Sequence, residues 1–570
     1  DGWKLSGVNG RIGETALDFD ALISKQPKLS GSNIRFSIEG SDLNKLLQKQ
    51  GEPGLPPGPF DASGTLVLTD QTLAINDFRL KTSRANGMVD LDLDWPFSKK
   101  GDISFNVDLQ GEDIRRFIPK NESFEAELAA FQLKAAGSKR GDSLTVDQFD
   151  STIGNMRITL TAKADDKPDD DDIEIAFNIL SEDISKLGKL KGKNLPADPL
   201  DLKADFKGNA SQFVLSNLVG SLGESHINGE LAVSLKGNKP DIKLRANSSF
   251  IDIRPFLGEK KPRDKTSAAT KPDRLIPATP LPLDSIAAAD ISIDLNVDEL
   301  RYRQDSITNL RLGLKQQAGS LKLNEVFYEA PGGTLNASFS IEPVGANKAD
   351  VKIDLVTEEF LFNYSNLPEE NLSQVPVFDI DIHATGTGST IREVASTLNG
   401  TLYAASKGGN AENVDLSILE TFIFDQLFSV LMPKSEDTLT HTSFSCIATN
   451  IEITDGLLET KPAIAFTSDK IAVVTKGTVD LKTEKMNLNF NSTPTNALQI
   501  NPGEMFYPYV LISGTLAEPK VGVDPGKAAL HGGAAIATMG ISVLAKGLID
   551  RAGNAIPVCE EMLNNPPGKP

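Results

Sequence analysis

The run Ile103-Ser104-Phe105-Asn106-Val107-Asp108-Leu109-Gln110 alternates apolar and polar residues without a break. Successive side chains of a strand point to opposite faces, so Ile103, Phe105, Val107 and Leu109 share one face and the polar residues share the other. The alternation recurs at Val89, Leu91, Leu93 and Trp95, and at Ile173, Ile175, Phe177 and Ile179. It returns at Ile291, Ile293, Leu295 and Val297, and at Met486, Leu488 and Phe490. One wet face is the mark of antiparallel pairing, because parallel strands buried on both sides read as unbroken apolar runs. The expected fold is mostly β: a long curled antiparallel sheet, a repeating groove or solenoid, with short helices between repeats and a helical C-terminal segment.

A period lies beneath the alternation. An aspartate followed by an aliphatic residue, with an apolar residue three positions further on, occurs at Asp42-Leu43, Asp113-Ile114, Asp183-Ile184 and Asp252-Ile253. The spacings are 71, 70 and 69 residues. Aspartate favours helix starts, so each element reads as one helical turn. Glycines 87, 154 and 223 keep similar time, each read as lying between two strand-like runs. These markers divide the chain into stacked repeats of about 70 residues over 1–257, a Pro/Lys-rich linker or surface loop over 258–283, a second β region over 284–525, and a C-terminal helix and tail over 526–570. Within the second region, Leu416, Leu419, Ile423, Leu427 and Leu431 repeat at helical spacing, which predicts an amphipathic helix over 415–432.

The composition excludes several classes of function. The 570 residues hold 58 Lys+Arg and 78 Asp+Glu, a formal charge of −20, which argues against a nucleic-acid partner. No 18-residue apolar run spans a membrane. The acidic run Asp165–Asp172 lacks the glycine and terminal glutamate of a calcium loop and reads as a solvated turn. Four scattered histidines, His226, His383, His441 and His531, give no metal cluster and no catalytic triad. Nucleophile-elbow, phosphate-loop and dinucleotide motifs are missing from the sequence. The expectation is a non-enzymatic protein with no metal and no cofactor. Cys446 and Cys559 are the two cysteines. They either bridge, tying the C-terminal tail to the last sheet, or stay unpaired.

The stretch GTGSTIREVASTLNGTLYAASKGGNAENVDLSIL (Gly386–Leu419) resembles the AsmA-like proteins, and FSCIATNIEITDGLLET (Phe444–Thr460), KGTVDLKTEKMNLNF (Lys476–Phe490) and VLISGTLAEPKVGVDP (Val510–Pro525) continue the likeness in order. Upstream, Ile291–Ile341 is similar to the family's preceding module, including Gly332-Gly333. Lys407–Asn413 departs from the pattern. The resemblance makes 284–525 an AsmA-like β-groove region. It implies a periplasmic protein of a diderm bacterium, related to bridge-like lipid-transfer proteins and anchored in the inner membrane through a segment upstream of Asp1.

The residues point the same way. An apolar strand face with few helices to cover it must curl on itself or take a ligand. Phe105, Val107, Phe177, Ile293 and Leu295, from the cleanest alternating strands, are the expected lining of a lipid groove. The expected function is shielding of acyl chains during phospholipid transport between the two membranes. Phospholipid or another lipid would be the cargo, with membranes met at the ends of the body and envelope proteins as partners. The competing reading is an envelope scaffold or assembly factor with a dry interior, acting through protein contacts.

Overall fold

A computed structural model describes the chain except for residues 1, 43–57, 83–84, 95–101, 117–123, 166–172, 191, 258–272, 303–304, 331, 346, 362–374, 411–442, 461–463, 469–470, 496–508, 524–557 and 565–570. The described residues hold 34 strands. The chain is mostly β and antiparallel, as the alternation predicts. It divides into two compact units, one of Asp1–Asn238 with Leu244–Ile251 and one of Lys239–Lys243 with Asp252–Pro570.

In the first unit, 14 strands from Gly2–Ile12 to Ser225–Ser234 pair as an antiparallel meander, each mainly with its neighbour in sequence. Four strands make one repeat. Phe60–Leu68, Thr72–Thr82, Ala85–Asp94 and Ile103–Gly111 form one, and Phe131–Arg140, Ser143–Ile153, Met156–Asp165 and Ile173–Ser181 form the next. A single 3-10 turn follows each set, at Ile114–Arg116 and Ile184–Lys186, and another stands at Arg254–Phe256. The aspartate ahead of each turn acts identically. Asp113, Asp183 and Asp252 each accept the backbone N–H two residues on, at 3.1, 3.0 and 2.9 Å. The Asp42 turn lies largely outside the described residues.

Both markers of the period clasp the segment entering the next repeat. Ile114 N–H donates to the Ala129 carbonyl and Gly154 N–H to that of Ala130. One repeat later, Ile184 donates to Asp198 and Gly223 to Pro199. Gly154 and Gly223 sit in tight turns with φ of 58° and 57°, a conformation that suits glycine. Gly87 does not belong with them. It lies inside strand Ala85–Asp94 and makes room for the Leu109 side chain, which a Cβ there would meet at 2.5 Å.

The second strand of each repeat breaks the alternation with a β-bulge. Register shifts fall between Leu5 and Val8, Ile75 and Phe78, Val146 and Phe149, and Leu215 and Leu218, spaced 70, 71 and 69 residues apart. A bulge places two residues opposite one, so residues three apart return to the same face. Gly7, Asp77 and Asn217 take left-handed backbone at these points. The freed N–H groups find carboxylates on the adjacent strand: Gly7 N–H donates to Asp20 and Asp77 N–H to Asp90, both at 2.7 Å.

The second unit opens on strand Asp290–Tyr302 and proceeds antiparallel through Asp305–Gln317, Ser320–Ala330, Gly333–Pro343, Ala349–Phe360, Phe378–Gly388 and Asn399–Ser406. Ser443–Thr454 then pairs with Asn399–Ser406, and the sheet runs on to Pro519–Val523. Of the stretch read as a linker or loop, residues 273–282 are described and form a strap. The Glu484 carboxylate accepts N–H groups from Leu275 (2.7 Å) and Ile276 (3.2 Å), and Arg392 donates to the Ile276 carbonyl. The strap leads into helix Leu283–Ala287, whose Ile286 packs with Ile341, Ala349, Val351 and Val394. The expected amphipathic helix over 415–432, the acidic run beyond Asp165, Trp95, and residues 526–557 of the expected C-terminal segment lie outside the described residues. A short helical turn spans 558–564.

Two outcomes are expected. A Cβ at Gly137 would meet the Thr145 carbonyl oxygen at 2.2 Å, so Gly137→Ala should destabilise the first unit by more than about 1 kcal/mol in urea denaturation. The second is acid sensitivity. The Arg157 guanidinium on Asp150, the Ser185 hydroxyl on Asp183 and the Arg254 guanidinium on Asp252 hold these carboxyls below the usual range. Depressed acids stabilise fully above their unfolded pKa, and that stabilisation disappears as pH falls through the folded value. The urea midpoint should therefore be flat from pH 7 to 5 and fall below about pH 4.

Candidate functional site: an apolar lane

Register carries the apolar phase from strand to strand. In the first unit Val89, Val107, Ala135, Phe149, Leu160 and Phe177 stand directly opposite one another in a row perpendicular to the strands. A second row, two residues along, passes through Leu91, Phe105, Gly137, Val146, Ala162 and Ile175. A third passes through Leu109, Leu133, Ser151, Ile158, Ile179 and Leu202. The second row extends backward through Ile75, Leu66, Ile34 and Ala21 to Leu5, and forward through Phe206 and Leu215 to Leu231. It therefore crosses all 14 strands, about 60 Å at roughly 4.8 Å per strand. At about 3.4 Å per residue, three rows make a band about 14 Å wide.

Most of these side chains are half-buried; Ala21 and Ser151 are buried and Leu5 is exposed. Phe105, Val107, Leu109, Phe149, Leu160, Ile175, Phe177 and Ile179 all keep partial access to solvent. Large side chains recline along the sheet over small ones, as Phe105 does over Gly137 and Phe36 over Gly64, where an added Cβ would meet the ring at 2.8 and 3.1 Å. The band is a thin apolar floor that a second layer of protein would ordinarily bury. The opposite face is polar, with cross-strand ion pairs Asp108–Lys134 at 3.4 Å, Asp150–Arg157 at 2.6 Å and Glu174–Lys207 at 2.8 Å.

Of the residues expected to line a groove, Val107 and Phe177 share one row and Phe105 stands in the next. Ile293 and Leu295 lie in the second unit, in two rows of its own: Ile293–Leu314–Leu323–Phe339 and Leu295–Leu312–Val326–Ala337. They too are half-buried. The residues that reading by alternation passed over include Ala135, Gly137, Phe149 and Leu215. Strand Phe131–Arg140 carries small residues, and the bulged strands lose period two. The repeat itself was the available signal, since a bulge every 70 residues realigns the phase.

At the far end of the second unit Cys446 and Cys559 are joined in a disulfide, Cα to Cα 6.2 Å. The bond docks the helical turn over 558–564 against Tyr403, Ala405, Ala448 and Ala465, with Met562 filling the same cluster. Tyr403 and Ala405 belong to the polar phase of their strand, opposite Asp381 and Asp379. The tail therefore covers the reverse side of the sheet and leaves the lane side to other residues. His383, read as a solvated side chain on that phase, lies between two carboxylates, with Nδ1 and Nε2 each 2.7 Å from Asp354 and Asp381. No group of His, Cys, Asp and Glu able to hold a metal ion occurs among the described residues.

A repeating antiparallel sheet with one open apolar face is an extended surface on which a partner or ligand can lie. Residues 258–463 match the model of the AsmA family. The chain is 20% identical over 421 residues to the AsmA family protein YhjG of Escherichia coli (strain K12), a match covering 69% of this chain and 59% of that protein. The chain thus spans about three fifths of the length of that relative. The AsmA-like resemblance read from Gly386–Leu419 and its neighbours is borne out.

The disulfide closes a loop of 113 residues, for which a chain-entropy account gives on the order of 4–5 kcal/mol. Cys559→Ser should lower the calorimetric unfolding temperature of the second unit, and reductant should do the same to the parent chain. Peptide mapping without reductant should recover the Cys446 and Cys559 peptides linked.

Proposed function

We propose that this chain is a non-enzymatic lipid-handling protein of a bacterial envelope, shielding acyl chains on its apolar lanes while head groups stay in water. Kinship with the AsmA family supports an envelope-associated role in general. The observation that carries the finer reading is the open three-row band of the first unit. One of its rows crosses all 14 strands, and the band is apolar apart from Ser151 and only half covered.

The mechanism is passive. Hydrocarbon in water costs about 0.8 kcal/mol per CH₂, and a continuous apolar band removes that cost at every position along it. Neighbouring positions are then nearly equal in free energy, so a chain can slide without crossing a steep barrier. Phospholipid is the cargo this arrangement suits, because a zwitterionic or anionic head group gains from water at the rim while its tails gain from Phe105, Phe149 and Phe177. On this reading the protein works in the periplasm of a diderm bacterium, passing lipid between inner and outer membranes, with membranes as its partners at either end.

Phe105→Asp places a charge on the lane at a half-exposed position, where the fold tolerates it and hydrocarbon does not. Phospholipid extracted with the purified variant should fall at least about tenfold, which needs only about 1.4 kcal/mol, with an unchanged circular dichroism spectrum. Parent protein that carries no lipid by native mass spectrometry would instead favour a scaffold acting through protein contacts.

A further inference from the structure

We propose that the outer edge of strand Gly2–Ile12 is a docking site for an extended segment of another protein, taken up as a further antiparallel strand of the first unit.

The repeat identifies the site. Gly2–Ile12 is the bulged second strand of its repeat, and its equivalents are Thr72–Thr82, Ser143–Ile153 and Gln212–Leu222. Each of those three is paired on both sides, one of its neighbours being the first strand of its own repeat: Phe60–Leu68, Phe131–Arg140 or Leu200–Asn209. Among the described residues Gly2–Ile12 pairs with Thr15–Ser24 alone. The outer side of such a strand presents the N–H and C=O groups of every second residue, so an edge of 11 residues is a template for another strand. Exposure at matching positions differs in the same sense. Leu5 is 40% exposed, whereas Ile75, Val146 and Leu215 are half-buried. Ile12 is 73% exposed, whereas Ile153 and Leu222 are half-buried.

Sheet edges are commonly guarded by proline, by inward-pointing charge or by a bulge. Gly2–Ile12 has no proline, and its two cations, Lys4 and Arg11, stand on the polar phase. Its bulge is no guard either, because the same bulge is paired with a first strand in three other repeats.

Those three pairings also specify the guest. Its apolar residues alternate, as Leu66 stands opposite Ile75 and Phe206 opposite Leu215. Small residues, Gly64, Ala135 and Ala204, occupy the position at the bulge. Asp61 faces Lys81 and Asp201 faces Ser221, which puts an acid at the place that faces Arg11 in the first repeat. The guest is therefore an extended segment, apolar at every second residue, small beside Val8 and acidic opposite Arg11. A second copy of this chain would bring Lys4 and Arg11 to an edge that already carries them, and like charges across a strand pair repel. The docked strand would carry the middle row of the apolar band one strand beyond Leu5.

The test uses the whole chain, with a synthetic peptide of Phe60–Leu68 as the probe. One peptide should bind per chain and slow amide hydrogen exchange over Gly2–Ile12 at least about tenfold. Arg11→Glu should weaken binding about threefold, and a peptide carrying Asp61→Lys should bind that variant better than the parent chain. No binding, or binding that leaves exchange over Gly2–Ile12 unchanged, would overturn the docking site. Indifference to both charge changes would overturn the register against Arg11. Exchange that slows over Gly2–Ile12 when the chain is concentrated without peptide would assign the edge to a second copy and overturn the foreign guest.

Discussion

Register is the constraint on which everything else depends. A slip of one residue between two strands turns an apolar face outward and ends the lane at that strand. The first unit keeps phase across 14 strands although four of them carry an extra residue. It does so by giving bulges a fixed place in the repeat and, at Gly7 and Asp77, a carboxylate to receive the N–H that the ladder leaves over. The device recurs in the second unit, where Glu359 takes left-handed backbone and donates its N–H to Asp379 at 2.8 Å. Aspartates on the polar phase are thus part of what keeps the apolar phase straight, and not only a charged skin.

The fold was largely legible in the amino-acid order. Period two named the strands of Ile103–Gly111 and Ile173–Ser181, and the Asp-aliphatic element marked the repeat. What the order could not display was pairing. Ser143–Ile153 and Gln212–Leu222 look irregular alone, because a bulge shifts their phase midway, and their place becomes plain only against neighbouring strands. Gly87 was misleading for a related reason: glycine serves a turn at Gly154 and a close approach at Gly87, and spacing cannot separate the two uses.

The site divides in the same way. Composition and alternation identified a face, and Phe105, Val107 and Phe177 are on it. They could not say whether that face was covered, since Met486-Asn487-Leu488-Asn489-Phe490 alternates as cleanly as Ile103–Leu109 does. One is shut and the other open. Long-range contacts such as Glu484 with Leu275 leave no local signature.

The clasp at each repeat boundary has a consequence for how such chains can change over time. Ile114 and Gly154 hold Ala129 and Ala130 just as Ile184 and Gly223 hold Asp198 and Pro199, so each boundary presents the same joint to whatever follows. Duplicating or deleting one 70-residue segment would restore both joints and preserve the phase. The lane would then lengthen or shorten by four strands, about 19 Å. Reach becomes a quantity counted in whole modules, and a lineage could match its span to a wider or narrower gap without redesigning a single strand.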